Sequence, residues 1–571
     1  MTFVSDDPKT FASQALRGFA QAYGRYVQLA PGGVLRATPG PAGKVAVIVG
    51  GGSGHYPAFA GYVGPGLADA AVAGDIFTSP STKGVATIGR LANRGGGVLF
   101  GFGNYAGDVL NFGSATRRLS AEGVDARILL VTDDVASAPA EAPALRRGVA
   151  GDVVVFKIAG AAAEAGHKLD EVERLARLAN ARTVSFGVAF AGCTLPGARE
   201  PLFTVPAGQM GIGLGIHGEP GVAEEAILPA RELARLLVDR LVAEKPGDAS
   251  GRVAAMLNGL GATKYEELFV LWTGVQAELE ARGLAIVGPE VGEFVTSLDM
   301  AGCSLTLTWL DHGLEELWLA PCESAAFRRG AEIVAATPAP IEQVEQAFAF
   351  PPAGDGSRES ARRVADAMTR IAAAMEAARD DLGRLDARAG DGDHGHAMAR
   401  GSAAAAEAIA RAAAAGAGAA SALAVAGDAW ADRAGGASGA LWGVGLRAWS
   451  EAFSDEAAIA RGDVVKGARA ALDAIVALGG ARVGDKTLVD ALAPFVETLE
   501  REMAAGADLA AAWRAAAAAA TRAAADTAPL APKLGRARPL AHRSVGHADA
   551  GATSMAMVLA VAAESLAPRP S

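Results

Sequence analysis

Three glycine-rich segments in the first half of the chain end on side chains that can attack or titrate. Gly50-Gly51-Gly52-Ser53-Gly54 leads into His55, Gly103-Asn104-Tyr105-Ala106-Gly107 into Asp108, and the run Gly211 to Ile216 into His217. Glycines let the backbone turn tightly and bring its N–H groups up to a ligand. Either histidine alone reads equally as a loop residue. Two imidazoles and a carboxylate on three such loops make an acid, base and nucleophile set. Gly50 and Gly52 fit the first two glycines of a GxGxxG fingerprint, but the last position is His55 and no acidic residue follows at the right distance, so a dinucleotide site is not expected.

The second half holds Asp386, Asp391 and Asp393 in LDARAGDGDHGH, spaced five and two apart. Carboxylate oxygens suit Mg²⁺, which draws the rest of its shell from water and phosphates. A calcium hand fails for want of a glutamate at the twelfth loop position. Gly435–Gly439, Gly484–Leu488 and Gly546–Thr553 are small-residue stretches, of the kind that opens N–H donors toward phosphate at helix starts. GGARVGDKT, residues 479–487, nearly matches a P-loop, but Asp485 intrudes before Lys486. A P-loop kinase is therefore not expected.

These residues need a scaffold. From Lys44 to Cys322, β-branched runs alternate with glycine turns and helical stretches. Val45–Val49, Val98–Phe100, Ile128–Val131 and Val153–Phe156 read as buried strands of an α/β domain with a mostly parallel sheet. Phe203–Val205 and Ser304–Thr308 alternate more and read as a separate sheet. Residues 337–357, with TPAPIEQ and FPPAGDGS, have a linker's composition. Beyond them alanine-rich helices dominate, as in Ala510–Ala525. The expected domains are an α/β domain over 1–336, a linker over 337–357 and an all-α domain over 358–571.

The 571 residues carry 52 basic and 63 acidic side chains, net −11, with no basic footprint for nucleic acid or an anionic membrane. A small molecule is the expected partner. Cys193, Cys303 and Cys322 lie far apart without CxxC spacing, as suits a reducing compartment. The start, MTFVSDDPKTF, lacks the apolar core of a signal peptide, and no run of about 18 apolar residues appears. The expected location is the cytoplasm.

The stretches VIVGGGSGHYPAFAGYVGPGLADAAVAGDIFTSP, NYAGDVLNF and GIHGEPG, in this order and at these separations, resemble the dihydroxyacetone kinase family in its single-chain ATP-dependent form. So do the acidic and small-residue segments of the second half. The resemblance implies that His217 forms a covalent hemiaminal with a ketone, which excludes polyols lacking a carbonyl. It implies Asp108 as general base, His55 as its partner in proton transfer, and Gly52, Ser53, Gly54 and Gly103 beside the substrate.

For the second half it implies an all-helical barrel in which Asp386, Asp391 and Asp393 hold two Mg²⁺ ions. The nucleotide would lie against Asp393, His394, Gly395, His396, Ala437 and Ser438. Gly480, Thr487, Leu488 and Arg536 would line it too, with the Asp549-Ala550-Gly551 turn. A homodimer is implied as well.

The chain departs from the family where lysine usually precedes the asparagine of NYAGD, here Gly103, and at Tyr56, Phe59 and Ala550, where an acid, a histidine and a proline are usual. Space left at Gly103 would suit a larger ketose such as erythrulose or a branched four- or five-carbon sugar; water filling it would suit the triose. Lyase activity on flavin dinucleotide, a phosphocarrier-fed subunit and a non-enzymatic carbonyl receptor are the alternatives. Fusion of the halves speaks against the phosphocarrier. Asp108, His217 and the three aspartates speak against the receptor.

Overall fold

The structure is a computed structural model that describes residues 4–213, 215–217, 219, 221–330, 350–388, 392–434, 436–534 and 541–566, with the backbone alone at 436, 437 and 541. The chain divides into two compact units, Met1–Thr337 and Pro338–Ser571.

The first unit is built on two sheets. One contains β1 (Val27–Ala30), β2 (Gly33–Arg36), β3 (Ala46–Ser53), β4 (Ala70–Ile76), β5 (Val98–Gly103) and β6 (Ala126–Val131), in the order β1-β2-β4-β3-β5-β6. β4, β3, β5 and β6 run parallel, and β1 and β2 add an antiparallel edge. Helices α1 (Phe11–Ala22), α2 (Thr82–Ala92), α3 (Ala106–Ala121), α4 (Asp152–Glu164) and α5 (Leu169–Ala181) accompany it. Both faces of the sheet are covered, which is why its strands read as continuous apolar runs. Val153–Phe156, expected as a strand, lies in α4. Every residue from Asp152 to Ala163 is buried, and a helix apolar all round shows no period that separates it from a buried strand.

The second sheet holds β7 (Thr183–Ala191), β8 (Gln209–Ile212), β9 (Ala223–Ala226), β10 (Arg252–Gly259), β11 (Ala285–Ile286), β12 (Glu290–Gly292) and β13 (Ala301–Trp309). Its order is β11-β10-β13-β7-β8-β9, antiparallel throughout except where β11 and β12 pair with β10. α6 (Ala230–Val242) and α7 (Tyr265–Ala281) pack on it. Ser304–Thr308 thus lies in a separate sheet. Phe203–Val205 does not; these residues are apolar because they pack on Cys193, Leu260 and Met300.

The second unit is helical, with no strand among the described residues. After α8 (His312–Leu319), which lies in the first unit, its helices begin with α9 (Asp355–Ala377), α10 (Arg379–Asp386), α11 (His394–Ala414), α12 (Ala419–Ala434) and α13 (Gly436–Ser450). Then come α14 (Arg461–Gly479), α15 (Val489–Ala504), α16 (Leu509–Asp526), α17 (Ala541–Ser544) and α18 (Ala550–Ser565). Contacts run α9-α11-α12-α13-α14-α15-α16-α18 and back to α9, so the helices close a ring. Alanine and glycine allow the close approach; a Cβ on Gly401 would stand 2.7 Å from the buried Trp430 ring. α9 opens at Asp355, inside the stretch read as linker. Ser357 is buried, its hydroxyl donating to the Ser454 carbonyl at 2.8 Å and accepting from the Ala419 N–H, so residues 355–357 belong to the helix. Among the described residues no helix is long and apolar enough to cross a membrane.

Candidate active site

β3 ends at Ser53 and the chain leaves it through Gly54 at φ +105°, a conformation side chains with a Cβ rarely adopt. That turn buries His55. Its Nδ1 lies 2.7 Å from the Thr296 carbonyl and its Nε2 2.9 Å from His217 Nε2, while Phe77 stacks on its ring. Phe77 itself sits at φ +52°, and Leu298, whose N–H donates to the Gly54 carbonyl, at φ +51°. Strain of this kind persists where surrounding structure enforces it, and here it flanks His55. Gly52 lies against the backbone of Phe77 and Thr78, and the Ser53 hydroxyl donates to the Gly74 carbonyl.

Asp108 sits in the first turn of α3, just beyond the end of β5, buried and with Oδ1 unpartnered. Burial raises its pKa above the ordinary aspartate value, while Ser79 and the charge of His217 pull against that rise. His217 follows a loop tied down by Ser297, whose hydroxyl donates to the Ile216 carbonyl. Its ring meets Tyr105 and Phe77 edge-on. The structure therefore brings His55, Asp108 and His217 together.

Glu219, to which the sequence reading assigned no role, completes the group. It takes the His217 backbone N–H on Oε2 at 2.9 Å and faces His217 Nδ1 with Oε1 at 3.0 Å. Burial works against the carboxylate, but the hydrogen bond and charge of His217 outweigh it and bring its pKa down to about 2. The signal lay inside GIHGEPG, since an acid two residues after a histidine can bond both its backbone and its ring. Thr296 and Phe77 carried no such local mark.

Burial, reinforced by His217, lowers the His55 pKa to about 3, leaving a neutral ring. Thr296 can only accept, so His55 carries its proton on Nδ1 and offers a lone pair from Nε2. The three contacts, Thr296 to His55, His55 to His217 and His217 to Glu219, need three protons, one more than two neutral rings hold. Glu219 stands where it can offset a positive charge on the imidazole pair. Glu219→Gln is expected to lower kcat/KM for the carbonyl substrate by about 10²-fold, because the ring loses both its orientation and its countercharge. Steady-state kinetics check this; an unchanged kcat/KM removes Glu219 from the site.

Gly103 does not border open space. A Cβ there would lie 3.1 Å from the Gly148 carbonyl oxygen and from Tyr105 Cε2, and a Cβ on Gly148 would lie 2.4 Å from Gly103 Cα. Backbone packs on backbone here, so a side chain at Gly103 would crowd Gly148 and Tyr105. Phe59 lies over Gly51 and packs toward Phe156 in the core, and the Tyr56 side chain is half-exposed.

In the helical unit, Asp386 ends α10 and accepts the Gly392 N–H at 2.8 Å. Asp393 precedes α11, whose first residue His394 is buried between Ser554, 2.9 Å from Nε2, and Ser438, 3.4 Å from Nδ1. Asp549 caps α18 through the Ala552 N–H, and its own N–H donates to Thr527. A Cβ on Gly551 would stand 3.5 Å from Leu488, so the 486–488 and 549–551 turns meet. Burial raises the Asp549 pKa to about 6, with Asp490 and Asp386 adding and Lys486 opposing. Lys486, at φ +62°, gives its ammonium to the carbonyls of Leu530 and Ser544, so it is a cross-tie and no phosphate-binding P-loop lysine. Thr487 donates its N–H to Asp490.

Gly395 packs on the Arg379 backbone, Gly480 caps α14 in a left-handed conformation, and His396 is exposed. Ala550 is buried at the start of α18. Asp391, Arg536 and the Ala437 side chain lie outside the described residues. Among the described residues no three His, Cys, Asp or Glu side chains stand close enough to hold a metal ion by themselves. The mutual repulsion of Asp386, Asp490 and Asp549 leaves oxygen donors with a surplus of negative charge, which fits a hard cation that shares its shell with phosphate and water.

Two facing imidazoles beside a buried carboxylate on an α/β unit, and an anionic, small-residue site in a helical ring, are the parts of a two-domain small-molecule kinase. The Dak1 domain model matches residues 17–326 and the DAK2 domain model residues 388–564. The chain is 53% identical to D-erythrulose kinase of Mycolicibacterium smegmatis over 98% of its own length and 97% of the relative's, and 50% identical to L-erythrulose kinase of Pectobacterium atrosepticum over 98% and 95%. Triokinase/FMN cyclase of Homo sapiens is 32% identical over 92% of each chain. The dihydroxyacetone kinase of C. freundii superposes with a TM-score of 0.61 at 30% identity, covering 99% of both chains, and has also been solved with AMP-PNP and Mg²⁺. The chain belongs to the dihydroxyacetone kinase family, in its single-chain form.

Proposed function

We propose that this protein transfers the γ-phosphoryl group of ATP to a terminal hydroxyl of erythrulose held as a hemiaminal on His217. The contact of His217 Nδ1 with Glu219 carries this reading, because it engages Nδ1 and leaves Nε2, which faces His55, as the ring atom to bond carbon. Nε2 adds to the ketone carbon, the carbonyl π electrons move to oxygen, and the proton that lay between the two Nε2 atoms passes to that oxygen. The adduct keeps its positive ring beside Glu219. Asp108 Oδ1, buried and unpartnered, then accepts the proton of the terminal hydroxyl as its oxygen bonds to phosphorus and ADP departs. Asp386 and Asp393, with Asp391, would hold two Mg²⁺ ions, whose chemistry is to neutralise phosphate charge.

The four-carbon substrate is supported by two relatives of 50% identity or more that are named erythrulose kinases. A homodimer follows from the family resemblance. A cytoplasmic setting is supported by three free, buried cysteines. Coupled ADP release with Mg-ATP, over both erythruloses, dihydroxyacetone and glyceraldehyde, tests the reading. The highest kcat/KM is expected on one erythrulose, with loss in a chelator and recovery on adding Mg²⁺. No turnover with any ketose, or a clear preference for dihydroxyacetone, would overturn it.

A further inference from the structure

Seven buried side-chain polar atoms among the described residues lack a hydrogen-bond partner, and three of them share one neighbourhood: Tyr105 OH, Asp108 Oδ1 and Asp152 Oδ1. Orphans this concentrated call for a ligand that completes them. Asp108 has its use in taking the proton of the reacting hydroxyl. The other two have none.

Tyr105 and Asp152 flank the same pair of glycines. The Tyr105 ring stands 3.1 Å from where a Gly103 Cβ would be, and Asp152 Oδ1 stands 3.1 Å from where a Gly148 Cβ would be. The Tyr105 ring also meets His217 edge-on, with centroids 4.7 Å apart. Asp152 is only 3% exposed and opens α4. Its neighbour Asp133 is fully employed, accepting the N–H groups of Val149 and Gly151 and so fixing the loop that carries Gly148.

We propose that the Tyr105 hydroxyl and the Asp152 carboxyl form the subsite that reads the C4 hydroxyl an erythrulose carries beyond the triose skeleton, the C1 hydroxyl being the one phosphorylated. Burial, with Asp133 and Asp108 nearby, pushes the Asp152 pKa far up, and burial does the same for the Tyr105 phenol. Burial thus disfavours the charged form of each, and the hydroxyl of Tyr105 and the carboxyl of Asp152 offer the donor and acceptor atoms that an alcohol needs. Side-chain-free Gly103 and Gly148 contribute by bringing the two groups to one place. This deepens the erythrulose reading and rests on it.

The test is kcat/KM of wild type, Tyr105→Phe and Asp152→Asn on erythrulose, 4-deoxyerythrulose and dihydroxyacetone, together with the melting temperature without substrate. Tyr105→Phe is expected to lower the erythrulose-to-dihydroxyacetone ratio about tenfold and to erase the preference for erythrulose over its 4-deoxy analogue. Its melting temperature is expected not to fall, since the hydroxyl has no partner to lose. Asp152→Asn should act in the same direction. An unchanged ratio in Tyr105→Phe, or equal losses on all three sugars, overturns the inference while the functional reading stands. A wild type that turns over no ketose overturns the functional reading, and the subsite with it.

Discussion

His217→Ala is expected to abolish ketose phosphorylation, lowering kcat/KM by about 10⁴-fold or more. On the proposed mechanism the ring supplies the bond that fixes the sugar, and holding a reacting group in place is worth effective molarities of about 10⁵ M and above. Its loss removes the anchor, not a general base, so the defect should fall on ketose use and leave nucleotide binding intact. Selectivity should fail as well. If the hemiaminal is what tells a ketone from a polyol, the variant has no atom left to make that distinction, so its ketose-to-glycerol ratio should approach unity. Parallel assays on erythrulose and glycerol, with nucleotide affinity measured separately, decide the matter. Ketose activity within tenfold of wild type would mean that the imidazole does not trap the substrate.

Asp108→Asn is expected to lower kcat by about 10²–10⁴-fold, the usual contribution of a positioned general base. Asparagine keeps the shape and loses the proton acceptor. Burial raises the Asp108 pKa, so as pH falls through that raised value the base protonates and wild-type kcat should drop, with the acid limb above the ordinary aspartate range. The variant should show no such limb. Stability moves the other way. A carboxyl whose folded-state pKa is raised contributes its stability below the unfolded value near 3.8 and loses it as pH rises through the folded one, so at neutral pH the ionised Asp108 weakens the fold. Asp108→Asn should therefore melt no lower than wild type. A pH-rate profile unchanged by the substitution would remove Asp108 from proton transfer.

How far the sequence carried the reading depended on whether the cause was local. β3, β5 and β6 were legible because strands covered on both faces are runs of β-branched and apolar residues. Val153–Phe156 misled for the same reason, since total burial erases the period that marks a helix. His55, Asp108 and His217 stood out because each ends a glycine loop. Their arrangement did not, because Thr296 lies 241 residues from His55 in the chain and meets it only when the two sheets pack. Gly103 shows the limit most clearly. A missing side chain is visible in sequence, but the Gly148 backbone that occupies its place is not. Lys486 shows it from the other side: Asp485 spoiled the P-loop match, and only the carbonyls of Leu530 and Ser544 show what the lysine does instead.

The bond between the two imidazoles has a consequence for the resting enzyme. A histidine poised to add to ketones would also be open to any aldehyde or acylating metabolite that reached it. In the structure His217 Nε2 stands 2.9 Å from His55 Nε2, so on the proposed mechanism the attacking atom starts out engaged with a second imidazole. A sugar that bonds to that atom must take it from His55 as the carbon–nitrogen bond forms, so the neighbouring ring is the group the substrate displaces.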